Sequence, residues 1–254
     1  MLFDPRHAKS HSVGLTLNGL VFRAGGRPLL DGLTAQMSAH AKTVVLGPNG
    51  AGKSLTLRAI QGLIDCDEGE VAFLRGETAA APISALHKRE GGVGIVFQKP
   101  VLFRRTVRAN LIHALKAAGI DRSERDMRAT ILLRMAGLEP IAERSARVLS
   151  GGEQQKLSIV RALAASPSVL LLDEPTASLD PRATHDIENL IVKARSEGVK
   201  IVLVTHDLGQ AKRLADEVLF IHQGRATELT VAADFFAKPR SPEARAYLDG
   251  ELLL

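Results

Sequence analysis

Residues 43–63 read TVVLGPNGAGKSLTLRAIQGL: a short β-branched run, a glycine loop, then a segment with helical spacing. This order constrains the fold more than any other stretch. A strand that passes through a tight loop straight into a helix needs a sheet for that helix to cover, the opening of a parallel βα unit. The loop, Gly47 to Ser54, matches G-x-x-x-x-G-K-[ST] between strand and helix, the context the phosphate-binding pattern requires. A chance glycine loop would lack both flanks.

In such a loop the backbone of Gly47, Pro48, Asn49, Gly50, Ala51 and Gly52 wraps a β-phosphate, every one of them but Pro48 offering an N–H group. Lys53 reaches the β- and γ-oxygens, and the Ser54 hydroxyl ligates Mg²⁺. Four more apolar runs follow: GIVFQ ending at Gln98, SVLLLD ending at Asp173, KIVLVTH ending at His206, and EVLFIHQG. Their hydrophobicity is continuous, not alternating, so they predict strands covered on both faces in a mostly parallel sheet. Ligands of such sheets sit beyond the carboxyl ends of the strands, where several of these runs finish on a polar residue.

The fold class predicted is α/β, a P-loop NTPase core with an antiparallel β subdomain at the N-terminus and an inserted helical subdomain. The glycine turns and alternation of VGLTLNGLVFRAGGRPLLDGLTAQMS suit antiparallel strands. Between Gln98 and about Ala165 helical patterns replace strand patterns, over Val107–Ala118 and Asp121–Gly137. The expected organisation is one domain over 1–254, with 1–98 and 166–254 forming the core and 99–165 the helical subdomain. Asp180 is the expected N-cap of a helix from Pro181 that stops at Gly198, and Ser241 with Pro242 repeats the device.

With 45% hydrophobic and 24% charged residues, the composition is globular and excludes a disordered chain. Cys66 is the single cysteine, so no internal disulfide or C-x-x-C zinc site exists, and a reducing cytoplasm is expected. The formal charge of +5 is spread without single-sign blocks and reads as a solvated mixed surface; no nucleic-acid partner is expected. The N-terminal MLFDPRHAKSHS lacks the apolar centre of a signal peptide, and no apolar stretch approaches the roughly 20 residues of a membrane span. Any membrane crossing falls to another subunit.

Two carboxylates leave the SVLLLDEP strand together: Asp173, suited to orient a metal through its shell, and Glu174, suited to hold an attacking water as general base. A solvated turn is the alternative, weakened by the apolar run before them. His206 ends its strand at the same edge and is placed to touch a γ-phosphate. Gln98, from another strand tip, suits contact with Mg²⁺ or with water. LSGGEQQK, Leu149–Lys156, reads as a serine-glycine turn opening a second helix, again favourable for an anion. GGVG, Gly91–Gly94, precedes its strand and so is not a dinucleotide turn.

The ordered set GPNGAGKS, VFQ, LSGGEQQK, VLLLDEPTASLD and VTHD resembles the ATPase of the ATP-binding cassette family over nearly the whole chain, from near Gly25 to near His222. The resemblance implies ATP with Mg²⁺ as ligands, with Ser54, Gln98 and Asp173 at the metal. It also implies a head-to-tail homodimer in which Ser150, Gly151 and Gly152 cover the γ-phosphate bound by the other chain. Asp180, in SLD, would cross the same interface. Ser150 as a simple helix cap is compatible with this.

The stretch Phe97–Leu115 resembles the region where family importers receive a helix of their membrane subunit. Val101, Leu102 and Phe103 would form its apolar floor, and Arg104 and Arg105 either its rim or a solvated face. The implied setting is the inner face of the cell membrane, peripheral and cytoplasmic. The implied partners are integral membrane permease subunits and a periplasmic or extracellular solute-binding protein. The pattern is most similar to oxyanion importers of the tungstate and molybdate type, then phosphate, and the short end after the core implies no C-terminal regulatory domain. A soluble ATPase of iron–sulfur cluster assembly and a non-hydrolysing nucleotide binder are the alternatives; a chromosome or repair ATPase would need a long coiled coil or a zinc insertion. Three positions depart from the family: Ala24 in FRAGG where an adenine-stacking aromatic is usual, Leu55 before Thr56, and Lys156 for arginine.

Overall fold

The computed structural model describes residues 13–75, 79–83 and 92–251. Along them run β1 (Val13–Ala24), β2 (Arg27–Met37), β3 (Thr43–Leu46), α1 (Lys53–Gln61), β4 (Glu68–Arg75), β5 (Ala79–Pro82), β6 (Val93–Val96), α2 (Val107–Ala117), α3 (Arg122–Met135) and α4 (Gly151–Leu163). Then follow β7 (Val169–Asp173), α5 (Pro181–Ser196), β8 (Lys200–Val204), α6 (Leu208–Leu214), β9 (Glu217–His222), β10 (Arg225–Val231), α7 (Ala232–Ala237) and α8 (Pro242–Leu248). The N-terminal stretch read for targeting and Gly91 of GGVG lie outside the described residues. Among the described residues no helix is long and apolar enough to cross a membrane.

The chain divides into two compact units, Ser12–Lys88 with Lys200–Leu254, and Arg89–Val199. In the first, β2, β1, β4 and β5 form an antiparallel sheet in that order. Its β2 alternates, with Leu33, Ala35 and Met37 buried and Thr34 and Gln36 exposed, as a sheet with one wet face must. In the same unit β3 lies parallel between β8 and β9, and β10 returns antiparallel beside β9. Here alternation vanishes: Val44–Leu46, Val202–Val204 and Val218–Ile221 are at most 1% exposed. These strands are the continuous apolar runs of the sequence, and burial on both faces is why they read that way.

The two ends of these strands differ in use. At the amino ends, the first residues of β3, β8 and β9 are Thr43, Lys200 and Glu217. The wholly buried Lys200 ammonium donates to Ser38 O at 2.6 Å, Ala41 O at 2.7 Å and Thr43 Oγ1 at 2.6 Å, with Glu217 Oε1 at 3.3 Å. A buried charge persists only with such partners, so this end is built for structure. The carboxyl ends lead into the glycine loop after β3 and into His206 after β8.

In the second unit β6 and β7 pair in parallel, Val96 opposite Leu172, accompanied by α2, α3, α4 and α5. Helix punctuation agrees with the sequence. Asp180 Oδ1 accepts Ala183 N at 2.9 Å to start α5, Pro181 follows in the first turn, and Gly198 stands beyond the end with φ 94°. Ser241 caps α8 in the same way, accepting Ala244 N at 3.1 Å. Two strands stop earlier than their apolar runs: β6 ends at Val96 and β8 at Val204, which leaves Gln98 and His206 in the turns beyond the ladder.

Candidate active site

The loop after β3 is shaped by backbone that only glycine tolerates. Gly47 has φ 148°, and a Cβ there would stand 2.0 Å from Ile221 O, so no side chain fits. Lys53, 7% exposed, folds back over the loop: its Nζ donates to Gly47 O at 2.7 Å and Pro48 O at 2.8 Å. The first backbone bond of α1 runs from Thr56 N to Gly52 O at 2.9 Å, so the amides of Lys53, Ser54 and Leu55 precede the intrahelical ladder. The N-cap Gly52 supplies no side-chain acceptor, and the first turn holds no acid. A helix start of this kind presents N–H groups and the positive dipole end to an anion. Thr56 is fully buried with Oγ1 donating to Gly52 O at 3.0 Å, so the Leu55–Thr56 departure puts a hydroxyl into the helix itself.

His206, exposed, follows the buried Thr205, whose Oγ1 accepts Asp207 N at 3.1 Å; Asp207 in turn caps α6 through Gln210 N at 3.0 Å. The histidine is thus set on a turn pinned on its C-terminal side.

In the second unit, the parallel pairing of β6 with β7 brings two of the candidate residues together. Gln98 Nε2 donates to Glu174 Oε2 at 3.3 Å. Glu174 has φ 46°, a left-handed conformation rare for a residue with a Cβ, at a cost on the order of 1–3 kcal/mol. It directly follows half-buried Asp173, the last residue of β7. Strained backbone at the tip of a buried strand marks a carboxylate held in place by its surroundings.

The serine-glycine turn starts α4 with a reciprocal cap. Ser150 Oγ accepts Glu153 N at 3.3 Å, and Ser150 N donates to Glu153 Oε2 at 2.8 Å. A Cβ on Gly151 would stand 3.3 Å from Leu179 Cδ2, and one on Gly152 2.7 Å from Ala183 Cβ. Gly152 is therefore required by the packing of α4 on α5, whatever else it contacts. The same contacts place the start of α5, with Asp180 as its cap, beside this turn. Lys156 Nζ bridges to Asp186 Oδ2 at 3.0 Å, joining the two helices where an arginine is usual.

The stretch after Gln98 is tied to α4 and α2 by residues that local sequence patterns did not single out. Gln155 Nε2 donates to Phe97 O at 3.2 Å and Arg161 Nη1 to Val101 O at 2.6 Å; the Arg161 guanidinium lies 5.2 Å from the centre of the Phe103 ring. Fully buried Asn110 accepts Phe103 N at 3.0 Å and donates to Phe103 O at 3.2 Å. On this framework Val101 is 78% and Phe103 42% exposed, with Arg104 and Arg105 exposed beside them and Leu102 half-buried. Ala24 is an exposed residue at the end of β1 and Phe22 is half-buried. Burial, then the carboxylates of Asp67 and Asp65, push the Cys66 thiol up, which favours its protonated form.

Among the described residues no group of three or more His, Cys, Asp or Glu is arranged to hold a metal. The donors proposed from sequence are a hydroxyl, an amide oxygen and one carboxylate. Those hard oxygens fit Mg²⁺, which takes few carboxylates and completes its shell with phosphate and water. Gln98 uses its amide nitrogen on Glu174, so its oxygen is the atom that suits a cation.

The profile of a family described as ABC transporter matches residues 30–177. The chain belongs to the ABC transporter family. It is 38% identical over 220 residues to the phosphate import ATP-binding protein PstB of Mycoplasmoides gallisepticum, over 83% of this chain and 67% of that one. It is equally 38% identical to the Fe(3+) ions import ATP-binding protein FbpC of Streptomyces coelicolor, over 93% and 67%. The tungstate uptake system ATP-binding protein TupC of Peptoclostridium acidaminophilum is 38% identical over 216 residues, 84% of this chain and 97% of its own. Among solved structures, the dimeric post-hydrolysis state of the ATP-binding cassette MJ0796 bound to ADP and Pi is 28% identical, with a TM-score of 0.73 over 86% of this chain and 98% of that one. This chain is an ATPase of the ABC transporter family with the α/β fold the sequence predicted.

Proposed function

We propose that this chain is the ATP-hydrolysing subunit of an importer, peripheral on the cytoplasmic face of the membrane, working as a head-to-tail pair on permease subunits fed by a solute-binding protein. The observation that carries the reading is the start of α1: a glycine-shaped loop, a lysine folded over it, and a first turn with neither acid nor side-chain cap. Gly47–Ser54 bind the triphosphate, with Lys53 exchanging its two carbonyl partners for phosphate oxygens. Ser54, Gln98 and Asp173 are the proposed Mg²⁺ ligands; the ion, when bound, neutralises charge on the phosphates. Glu174 accepts a proton from the attacking water, oriented by the amide of Gln98, and His206 donates to the γ-phosphate.

Ser150, Gly151, Gly152 and Asp180 act on the nucleotide of the other chain. The reading is supported by the solved relative that is dimeric with ADP and Pi, and by the exposed position of Ser150 and Gly151. Hydrolysis then depends on assembly, because the donors that stabilise the transferring phosphoryl group are divided between two chains. The exposed Val101 and Phe103, fixed to α4 through Arg161, are the proposed seat of a permease helix. Movement of α4 on closure reaches the permease through them.

For the cargo we propose an oxyanion of the tungstate or molybdate type. Support comes from TupC, matched over nearly its whole length; PstB makes phosphate the second reading. Identity to the Fe(3+) relative is no lower, so uptake of labelled tungstate, molybdate, phosphate and iron by cells lacking this chain is the deciding assay. Loss of tungstate or molybdate uptake alone supports the proposal, and loss of iron uptake alone contradicts it. For the chemistry, phosphate release is measured with the unaltered chain and with Glu174→Gln. A fall of about 100-fold or more is expected for loss of a general base, and equal rates would remove Glu174 from the mechanism.

A further inference from the structure

The phosphate loop is held from behind by a turn about 170 residues further along the chain. Gln223 and Gly224 connect β9 to β10, and Gly224 joins two segments at once: its N–H donates to Ala51 O at 3.0 Å, and its carbonyl accepts Asp31 N at 3.0 Å. The next residue closes the join from outside, Arg225 Nε and Nη2 donating to Asp31 Oδ2 at 2.9 and 2.7 Å. Both turn residues are left-handed, Gln223 at φ 47° and Gly224 at φ 75°. A Cβ on Gly224 would stand 2.8 Å from Leu29 O and 3.0 Å from Leu30 Cα. The loop's own Gly52 is backed by the same wall, with Leu30 Cδ2 at 2.9 Å and Gly224 Cα at 3.7 Å from its would-be Cβ. The third loop glycine, Gly50, has nothing within 4 Å on that side.

We propose that Gly224, locked by the Asp31–Arg225 pair, is a positioning residue for the nucleotide: it sets the height of Ala51 and Gly52, and hence the aim of the amides that follow them, without touching the ligand. This rests on the reading of Gly47–Ser54 as the triphosphate loop. Donors fixed in advance hold phosphate well only while their geometry is kept, because a charge-assisted hydrogen bond weakens steeply as it lengthens or bends. The loop grips the phosphates alike before and during reaction, so a slackened wall weakens binding without changing the rate of the bound complex.

The test is a comparison of ATP and ADP dissociation constants, kcat at saturating ATP, and melting temperature without nucleotide. Gly224→Ala is expected to raise both dissociation constants about tenfold with kcat within about twofold. Should that variant fail to fold, Arg225→Ala and Asp31→Ala carry the test. As breaks of an exposed pair, each is expected to raise the constants about two- to threefold, the double variant no further than either single, and Arg225→Lys to recover part of the loss. A lowered melting temperature with unchanged nucleotide affinity, or additive effects of the two single changes, would overturn the proposal. An unaltered chain that binds neither ATP nor ADP would overturn the phosphate-loop reading beneath it, a different result from a binding chain that ignores Gly224.

Discussion

Two helices of this chain start on glycine-rich turns, and they are finished in opposite ways. At α1 the cap is a left-handed glycine, the first turn has no acid, and the lysine above it is held by two backbone carbonyls. At α4 the cap is Ser150, and Glu153 returns the bond, its carboxylate lying on the positive end of the helix dipole. The first start is arranged for an anion that arrives from outside. The second already ties two of its amides within its own chain, Ser150 N to Glu153 Oε2 and Glu153 N to Ser150 Oγ, so a phosphate seated on Ser150 N would displace the Glu153 carboxylate. On the proposed mechanism one end binds alone, and the other engages when a second chain offers enough to replace what it gives up.

Removing the cation at the first start is the largest perturbation. Lys53→Ala is expected to weaken ATP binding to the isolated chain by at least about 100-fold, the loss of two charge-assisted bonds, read by equilibrium titration. At the second start Ser150→Arg is expected to leave that titration within about twofold while phosphate release falls about 100-fold. If both variants lose binding, the distinction between the two starts fails. Gly152→Ala puts a methyl against Ala183 and is expected to destabilise the fold by about 1–3 kcal/mol in thermal melts, with or without nucleotide. The smallest effect sharpens the comparison most. Glu153→Gln keeps both capping bonds but removes the charge, so stability stays within about 0.5 kcal/mol. Pairing of chains in ATP, followed by light scattering with Glu174→Gln as background, is expected to tighten about two- to threefold.

Much of the first start was legible because it is local. Strand, loop and helix follow one another within residues 43–63, and β3, β7, β8 and β9 were readable as continuous apolar runs because both faces are covered. The caps at Asp180 and Ser241 were legible for the same reason, since an N-cap and its proline are neighbours. Of the strands that escaped notice, β4 and β10 mix polar with apolar residues as EGEVAFLR and RATELTV, with no clean period of two, and β5, AAAP, is four residues of low strand propensity ending in proline. Residues that act across the chain left no local signal: Arg161 on Val101, Gln155 on Phe97, and Gly224 on Ala51 are contacts made by folding. The reciprocal cap at α4 was within reach, since Ser150 and Glu153 carry the S-x-x-E spacing of a capping box. The meeting of Gln98 with Glu174 follows from the parallel register of β6 and β7, which strand-end positions suggested without pairing them.

The account turns on whether one chain is enough. The direct measurement is the initial rate of phosphate release across a dilution series of the unaltered chain at saturating ATP, with light scattering recording its mass at each concentration. Two chains sharing each site predict that activity per chain falls in proportion to concentration once the protein is monomeric. Constant activity per chain into the monomeric range would contradict it.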